Sequence, residues 1–187
     1  MRNLYCARLL VTTLLAAAST AAYAVPIIWA GNGNSYDVIT GTATLTWDQA
    51  RAEAEALGGH LATITSADEN AFVAGQVLSQ GVGNLERYWL GGYQTIPRDE
   101  PDGSWTWVTG ETWAYTNWTD GEPNDGAGGT QHYLHYWPTP GMWDDMENRA
   151  VMDSFVIEYR VVPEPGTLAL LGIGMLGLGL RRRKIAA

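Results

Sequence analysis

The chain has a single cysteine, Cys6, and it lies in an N-terminal apolar segment with the form of an export signal. The rest can use neither a disulfide framework nor thiol chemistry, and must hold itself together through its core. Basic residues are scarce as well. There are 11 Lys and Arg against 20 Asp and Glu, and six of the basic ones sit at the two ends. Residues 25 to 165 keep five basic against twenty acidic side chains, a net of −15. Like charge repels nucleic-acid phosphates and anionic lipid at long range, so neither is an expected partner. Divalent cations and neutral ligands such as glycans suit that balance. Internal repeats are absent, and so is a long apolar run. The C-terminal stretch from Thr167 to Leu180 has fourteen apolar or small residues, short of the roughly 20 that span a bilayer independently.

What the ends do contain is sorting information. Residues 1–24 carry Arg2 and Arg8, the apolar run Leu9 to Ala18, and Ala22-Tyr23-Ala24, the small-x-small pattern of a signal-peptide cleavage site. The mature protein is expected to start near Val25. At the other end, Pro163-Glu164-Pro165 leads into the apolar stretch, which closes on Arg181-Arg182-Arg183-Lys184. A basic stop after an apolar run fits an inner-membrane segment with its C-terminus in the cytoplasm.

Between these ends lies one domain of ordinary size. Tyr36 to Leu45 reads as an edge strand. Thr46 with Gln49, and Ser66 with Glu69, are capping boxes that open two helices. The first turns Trp47, Ala50, Ala54 and Leu57 to one face and stops at Gly58-Gly59. The second turns Ala67, Phe72, Val73 and Val77 inward. A short strand, His60 to Ile64, separates them, with His60 as its structural cap. From Tyr88 onward the pattern changes to short strands, at Trp89 to Gly92, Ser104 to Val108, Tyr133 to Trp137 and Ser154 to Tyr159. Residues 109–131 and 138–153 read as long polar loops, whose aromatic content argues against disorder. All nine tryptophans fall in this domain, and their default role is core filling. Helices first and strands with loops afterward indicate an α+β fold.

The loops carry the chemistry. Glu122-Pro123-Asn124 and, about twenty residues later, Trp143-Asp144-Asp145 gather hard oxygen donors without soft ligands. Calcium takes six to eight oxygens from carboxylates, amides and carbonyls, so Glu122, Asn124, Asp144 and Asp145 form a candidate cation set. A solvated polar turn is the alternative on spacing alone. His132, His135, Glu147, Asp153 and Ser154 are the other candidates for acid, base or nucleophile, and they form no recognised catalytic constellation. On a strand His132 and His135 point to opposite faces and cannot jointly hold zinc.

Taken together, Leu45 to Ala50, Gly58 to Ile64, Glu69 to Val73, Trp89-Leu90-Gly91, Trp105-Thr106-Trp107, Asn117-Trp118, Glu122-Pro123-Asn124, Trp143-Asp144-Asp145 and Phe155 to Tyr159 resemble the C-type lectin-like family in order and spacing. The resemblance implies a domain over 34–160 with two helices, small antiparallel sheets and a long loop region, here free of disulfides. The tail, 162–187, resembles the PEP-CTERM sorting signal, which implies processing by an exosortase. It further implies a Gram-negative cell envelope or extracellular matrix, and transient anchoring in the inner membrane.

By the same resemblance Glu122, Asn124, Asp144 and Asp145 are calcium ligands, and Glu122, Asn124, Gln131 and Asp144 contact a sugar. It implies a cis Glu122-Pro123 bond, which would turn both flanking side chains toward one cation. The Glu-Pro-Asn order resembles that of lectins selecting mannose- or glucose-type hydroxyls, the resemblance of the tail implies an exopolysaccharide as their carrier, and the lack of a catalytic constellation makes an enzyme unexpected. Two positions depart from the family pattern. Its glutamate before the strand near Tyr133 is replaced by Gln131 or by Thr130, and Asp144 stands where asparagine is common. With Gln131 the formal charge around the ion is −3, from Glu122, Asp144 and Asp145; with Thr130 a ligand is lost. Asp125 is a spare carboxylate on the same loop. Asn117-Trp118-Thr119 has the N-glycosylation form but reads as structural beside a bacterial sorting tail. The rival reading on this fold is a calcium-independent protein-interaction or matrix module.

Overall fold

The computed structural model describes residues 25–80, 87–96, 103–138 and 141–161. The expected signal peptide, 1–24, and sorting segment, 162–187, lie outside the described residues. Among the described residues no helix is long and apolar enough to cross a membrane.

Two helices form where the sequence caps them. In α1 (Trp47–Ala56) the Thr46 hydroxyl accepts from the Gln49 N–H at 3.2 Å and the Gln49 side chain accepts from the Thr46 N–H at 2.9 Å. Both halves of the capping box are present. In α2 (Ala67–Phe72) Ser66 caps the Glu69 N–H, but the Glu69 carboxylate accepts from the backbone and hydroxyl of Thr65 rather than from the Ser66 N–H. Its other oxygen takes the Tyr36 hydroxyl at 2.5 Å and the Asn32 amide at 3.0 Å. Glu69 is thus buried for a tertiary purpose, and Ala67, expected inward, is exposed. The helix continues as a π-type turn (Val73–Val77) and a 3-10 turn (Leu78–Gln80).

The strands are β1 (Ile27–Ile28), β2 (Ser35–Leu45), β3 (His60–Leu61), β4 (Tyr88–Gln94), β5 (Trp105–Trp107), β6 (Tyr133–Tyr136), β7 (Trp143–Met146) and β8 (Met152–Tyr159). They form one connected sheet rather than several small ones, in the order β1-β2-β8-β4-β6-β7, with β3 on β8 and β5 on β4. The β4–β8 pair is parallel, at Trp89 opposite Phe155, and the other pairs are antiparallel. Two expectations are corrected. β2 is no edge, because Ile27–Ile28 pairs with it on the side away from β8. The stretch 138–153, read as a polar loop, contains β7, whose Trp-Asp-Asp-Met is half acidic yet wholly buried. Polar side chains hid that strand because their partners lie elsewhere in the chain.

Alternation along β8 divides the core, since successive side chains of a strand point to opposite faces. Phe155 and Ile157 join Trp47, Ala50, Ala54, Leu61 and Trp89 under α1. Val156 joins Leu90, Leu134, Tyr136 and the tryptophan cluster on the other face. In that cluster Trp113 lies 4.4 Å from Trp107 and 5.6 Å from Trp105 between ring centroids, and Trp118 meets Trp143 edge-on at 5.8 Å. Such contacts add about 0.5–1.5 kcal/mol each beyond area burial, and fix residues 113–118 without a disulfide. Gly91 allows the close approach of β3 and β4. A Cβ there would stand 2.6 Å from the Leu61 carbonyl oxygen, while its N–H donates to the Ala62 oxygen at 2.8 Å.

Candidate functional site

The site forms where the loop after Trp118 folds back on β7. Asn117 and Thr119 flank the strand: the Trp143 N–H donates to the Asn117 oxygen and the Thr119 N–H to the Trp143 oxygen, both at 2.9 Å. The Asn117 side chain donates to the Gly141 oxygen at 2.5 Å, a structural role as expected. A turn closes from the Glu122 N–H to the Thr119 oxygen, and the Glu122–Pro123 bond is cis. The chain beyond it lands on Asp145. That carboxylate accepts the Asn124 N–H at 3.1 Å through Oδ1 and the Asp125 N–H at 2.8 Å through Oδ2.

Glu122, Asp144 and Asp145 each offer one carboxylate oxygen, and the three atoms lie within 4.8 Å of one another. Asp144 and Asp145 are buried and Glu122 is half-buried. Burial, and then the neighbouring Asp145 and Asp144, push the Glu122 carboxyl up to about 7. Its Oε2 is buried and has no hydrogen-bond partner. Its Oε1 accepts the Asn124 amide N–H at 2.8 Å, and the Asn124 amide oxygen takes the Gly126 N–H at 2.7 Å. Like-charged carboxylates at this separation, with an orphaned buried oxygen among them, are what a hard divalent cation satisfies. The residues present therefore fit calcium.

The two candidates for the departing position are separated in space. The Gln131 side-chain oxygen and the Asn124 oxygen flank Gly126: a Cβ at Gly126 would run into Gln131 Oε1 and lie 2.9 Å from Asn124 Oδ1. Thr130 is exposed at the end of a short helix, α3 (Gly126–Gly129). Asp125 is outside the carboxylate group. It adopts φ +47°, in the left-handed region, and its Oδ1 accepts the Gln131 N–H at 3.0 Å, so it braces the turn. The histidines part company: His132 contacts the Gln94 side chain at 2.9 Å, and His135 contacts Asp144 at 3.0 Å. The link between His135 and Asp144 was not read from the sequence, because it depends on the β6–β7 register. His60 caps β3 through the Leu61 oxygen at 3.0 Å.

Comparison with known proteins agrees with this geometry. The Lectin C-type domain family matches residues 43–151, more than half of the chain. The chain belongs to the C-type lectin domain family. Domains of this family typically bind calcium. The PEP-CTERM protein-sorting motif matches residues 161–184, which implies exosortase processing and export to the cell envelope. The chain is 28% identical to ladderlectin of Oncorhynchus mykiss over 116 residues, 62% of this chain and 58% of that protein. It spans about half the length of the relatives it matches. The cow C-type carbohydrate-recognition domain of CD23, solved in the presence of GlcNAc2Man3 oligosaccharide, superposes with TM-score 0.57 at 25% identity, covering 70% of this chain and 90% of that one. A calcium-independent type II antifreeze protein shares the fold with TM-score 0.56 at 23% identity, over 76% of this chain and 99% of that one.

Proposed function

We propose that the domain, over about residues 34–160, is an exported calcium-dependent carbohydrate-binding module. Its ligand is a mannose- or glucose-type glycan such as an exopolysaccharide of the envelope or extracellular matrix of a Gram-negative bacterium. The observation that carries this reading is the convergence of Glu122, Asp144 and Asp145 oxygens within 4.8 Å, with Glu122 Oε2 buried and unpartnered. Glu122, Asn124, Asp144 and Asp145 would hold the ion, and Asp145 would also keep the loop on β7. Bound calcium supplies spare coordination positions for two vicinal sugar hydroxyls. Around them Glu122 and Asp144 accept hydrogen bonds from hydroxyls, while the Asn124 and Gln131 amides can donate. A C-terminal segment would anchor the chain at the inner membrane until an exosortase removes it.

The test is retention of the full chain on mannan and glucan columns in millimolar calcium, release by chelator, and loss of retention in Asn124→Ala. Calcium binding without retention on any glycan would overturn the sugar assignment. One observation favours a calcium-independent interaction module: both Asp145 oxygens already hold backbone N–H groups, so the loop closes without an ion. An unchanged melting temperature between calcium and chelator would decide for that reading.

A further inference from the structure

We propose that the cleft between the β1 segment and α2 is a second glycan subsite, which takes a neutral sugar ring without a metal ion. It goes beyond the calcium reading and does not depend on it. The cleft is open, has a volume of about 490 Å³, and is lined by Ile28 and Trp29 from the β1 segment and by Asp68, Phe72 and Gln76 from α2 and the π-type turn. That volume lies within the roughly 300–1,000 Å³ of small-ligand pockets. Trp29 and Phe72 are half-buried, with ring centroids 6.3 Å apart and planes tilted by 30°. The turn after β1 pins the Trp29 backbone: its N–H donates to the Asn34 oxygen at 2.9 Å, and its oxygen accepts the Gly33 N–H at 2.8 Å. The ring packs against Gly31, where a Cβ would run into it. The aromatic platform is therefore preorganised, which lowers the ordering cost of binding.

The polar groups beside that platform identify the ligand. Asp68 and Gln76 are exposed, and among the described residues neither their side chains nor the Trp29 indole N–H has a hydrogen-bond partner. A carboxylate accepts, an amide accepts and donates, and an indole N–H donates. A pyranose has an apolar C–H face to lie on an aromatic ring and a rim of hydroxyls that use acceptors and donors alike. An anion is repelled by Asp68 and by the net charge of −15 over residues 25–165. An organic cation suits the rings and Asp68, but has no acceptor for the Trp29 and Gln76 N–H groups. A neutral sugar uses all of them. β1 is first in the strand order, whereas β7, with Asp144 and Asp145, is last. Sugar contacts at both ends would let one domain hold a polysaccharide at two points or join two strands of it, and linked contacts gain avidity over either one alone.

The test is proton–nitrogen NMR of the full chain in chelator, titrated with mannotetraose and with cellotetraose. Chelator silences any calcium-dependent site, so the response belongs to the cleft. The Trp29 indole and Gln76 amide signals are expected to shift together and to saturate with one of these sugars in the millimolar range. Trp29→Ala is expected to abolish the response of the Gln76 amide. Asp68→Ala and Gln76→Ala are each expected to weaken binding about two- to tenfold, the worth of one net hydrogen bond. Both residues are exposed, so the melting temperature is expected to hold in these two variants. Signals that saturate with neither sugar, or an affinity unchanged in both Asp68→Ala and Gln76→Ala, would overturn the proposal. Saturation by tetramethylammonium but not by the sugars would overturn the sugar assignment in favour of a cation. Shifts in a chain that binds no calcium would support the subsite while the calcium reading fails; calcium-dependent retention on glycan without these shifts would overturn the subsite alone.

Discussion

At the scale of single residues, the acidic site is held together by groups that would repel one another in isolation. Glu122 is the most sensitive of them. Its carboxyl is pushed up to about 7 from an ordinary 4.5, first by burial and then by Asp145 and Asp144. Between those two values the calcium-free folded state binds more protons than the unfolded chain, so stability falls as pH rises through that window. Glu122→Gln is expected to flatten this slope, which thermal unfolding in chelator from pH 4 to 8 would measure. A calcium ion must displace the same proton, so affinity in the unsubstituted protein is expected to rise over the same window and level off above it. Asp145 has two duties, as a candidate ligand and as acceptor for the Asn124 and Asp125 N–H groups. Asp145→Ala is therefore expected to abolish calcium binding and also to cost about 2 kcal/mol in chelator, since hydrogen bonds to a charged acceptor are worth roughly 1.5–3 kcal/mol. Denaturant unfolding of the calcium-free variant checks the second effect.

At the scale of elements, α2 is fastened to the site by one amide. The Asn70 oxygen accepts the Tyr136 hydroxyl at 2.8 Å and the Trp143 indole N–H at 3.0 Å, and its nitrogen donates to the Gly141 oxygen at 2.9 Å. It thereby joins the second helix to β6, β7 and the loop between them. Asn70→Ala is expected to destabilise the fold by about 2–4 kcal/mol, because each buried polar group left unpaired costs roughly 1–3 kcal/mol; chemical unfolding measures it. None of this was legible in the sequence, where Asn70 is one polar residue on a helix. The helices themselves were legible, because a cap is local: Thr46 and Gln49, or Ser66 and Glu69, declare themselves within four residues. The α+β order was legible for the same reason, and so were the acidic stretches Glu122 to Asn124 and Asp144 to Asp145 that the fold brings together. β7 and the His135–Asp144 contact were not, because burial of polar side chains depends on partners supplied by distant segments. Glu69 makes the same point. Its spacing from Ser66 suggested a local box, yet its carboxylate serves Tyr36, Asn32 and Thr65.

At the scale of the whole molecule, stability comes from a two-faced core and an aromatic cluster, against the self-repulsion of a strongly acidic chain. Calcium bound only by the folded state is expected to add about 2.7 kcal/mol at a hundredfold excess over its dissociation constant. For a domain of this size that is about 10 °C in melting temperature. Magnesium at equal ionic strength controls for general screening of the acidic surface and is expected to give a much smaller shift, since it keeps its own waters more tenaciously. The strand order has a further bearing. β1, β2 and β8 lie together at one end of the sheet, where the Val161 N–H donates to Asn34 at 3.0 Å, while β6 and β7 occupy the other end. The described segment thus begins and ends beside β1, β2 and β8, while Asp144 and Asp145 lie on β7 at the other end of the strand order. A cargo placed beside Val25 or Val161 would therefore lie by β1, β2 and β8, away in the strand order from the loop that carries Glu122.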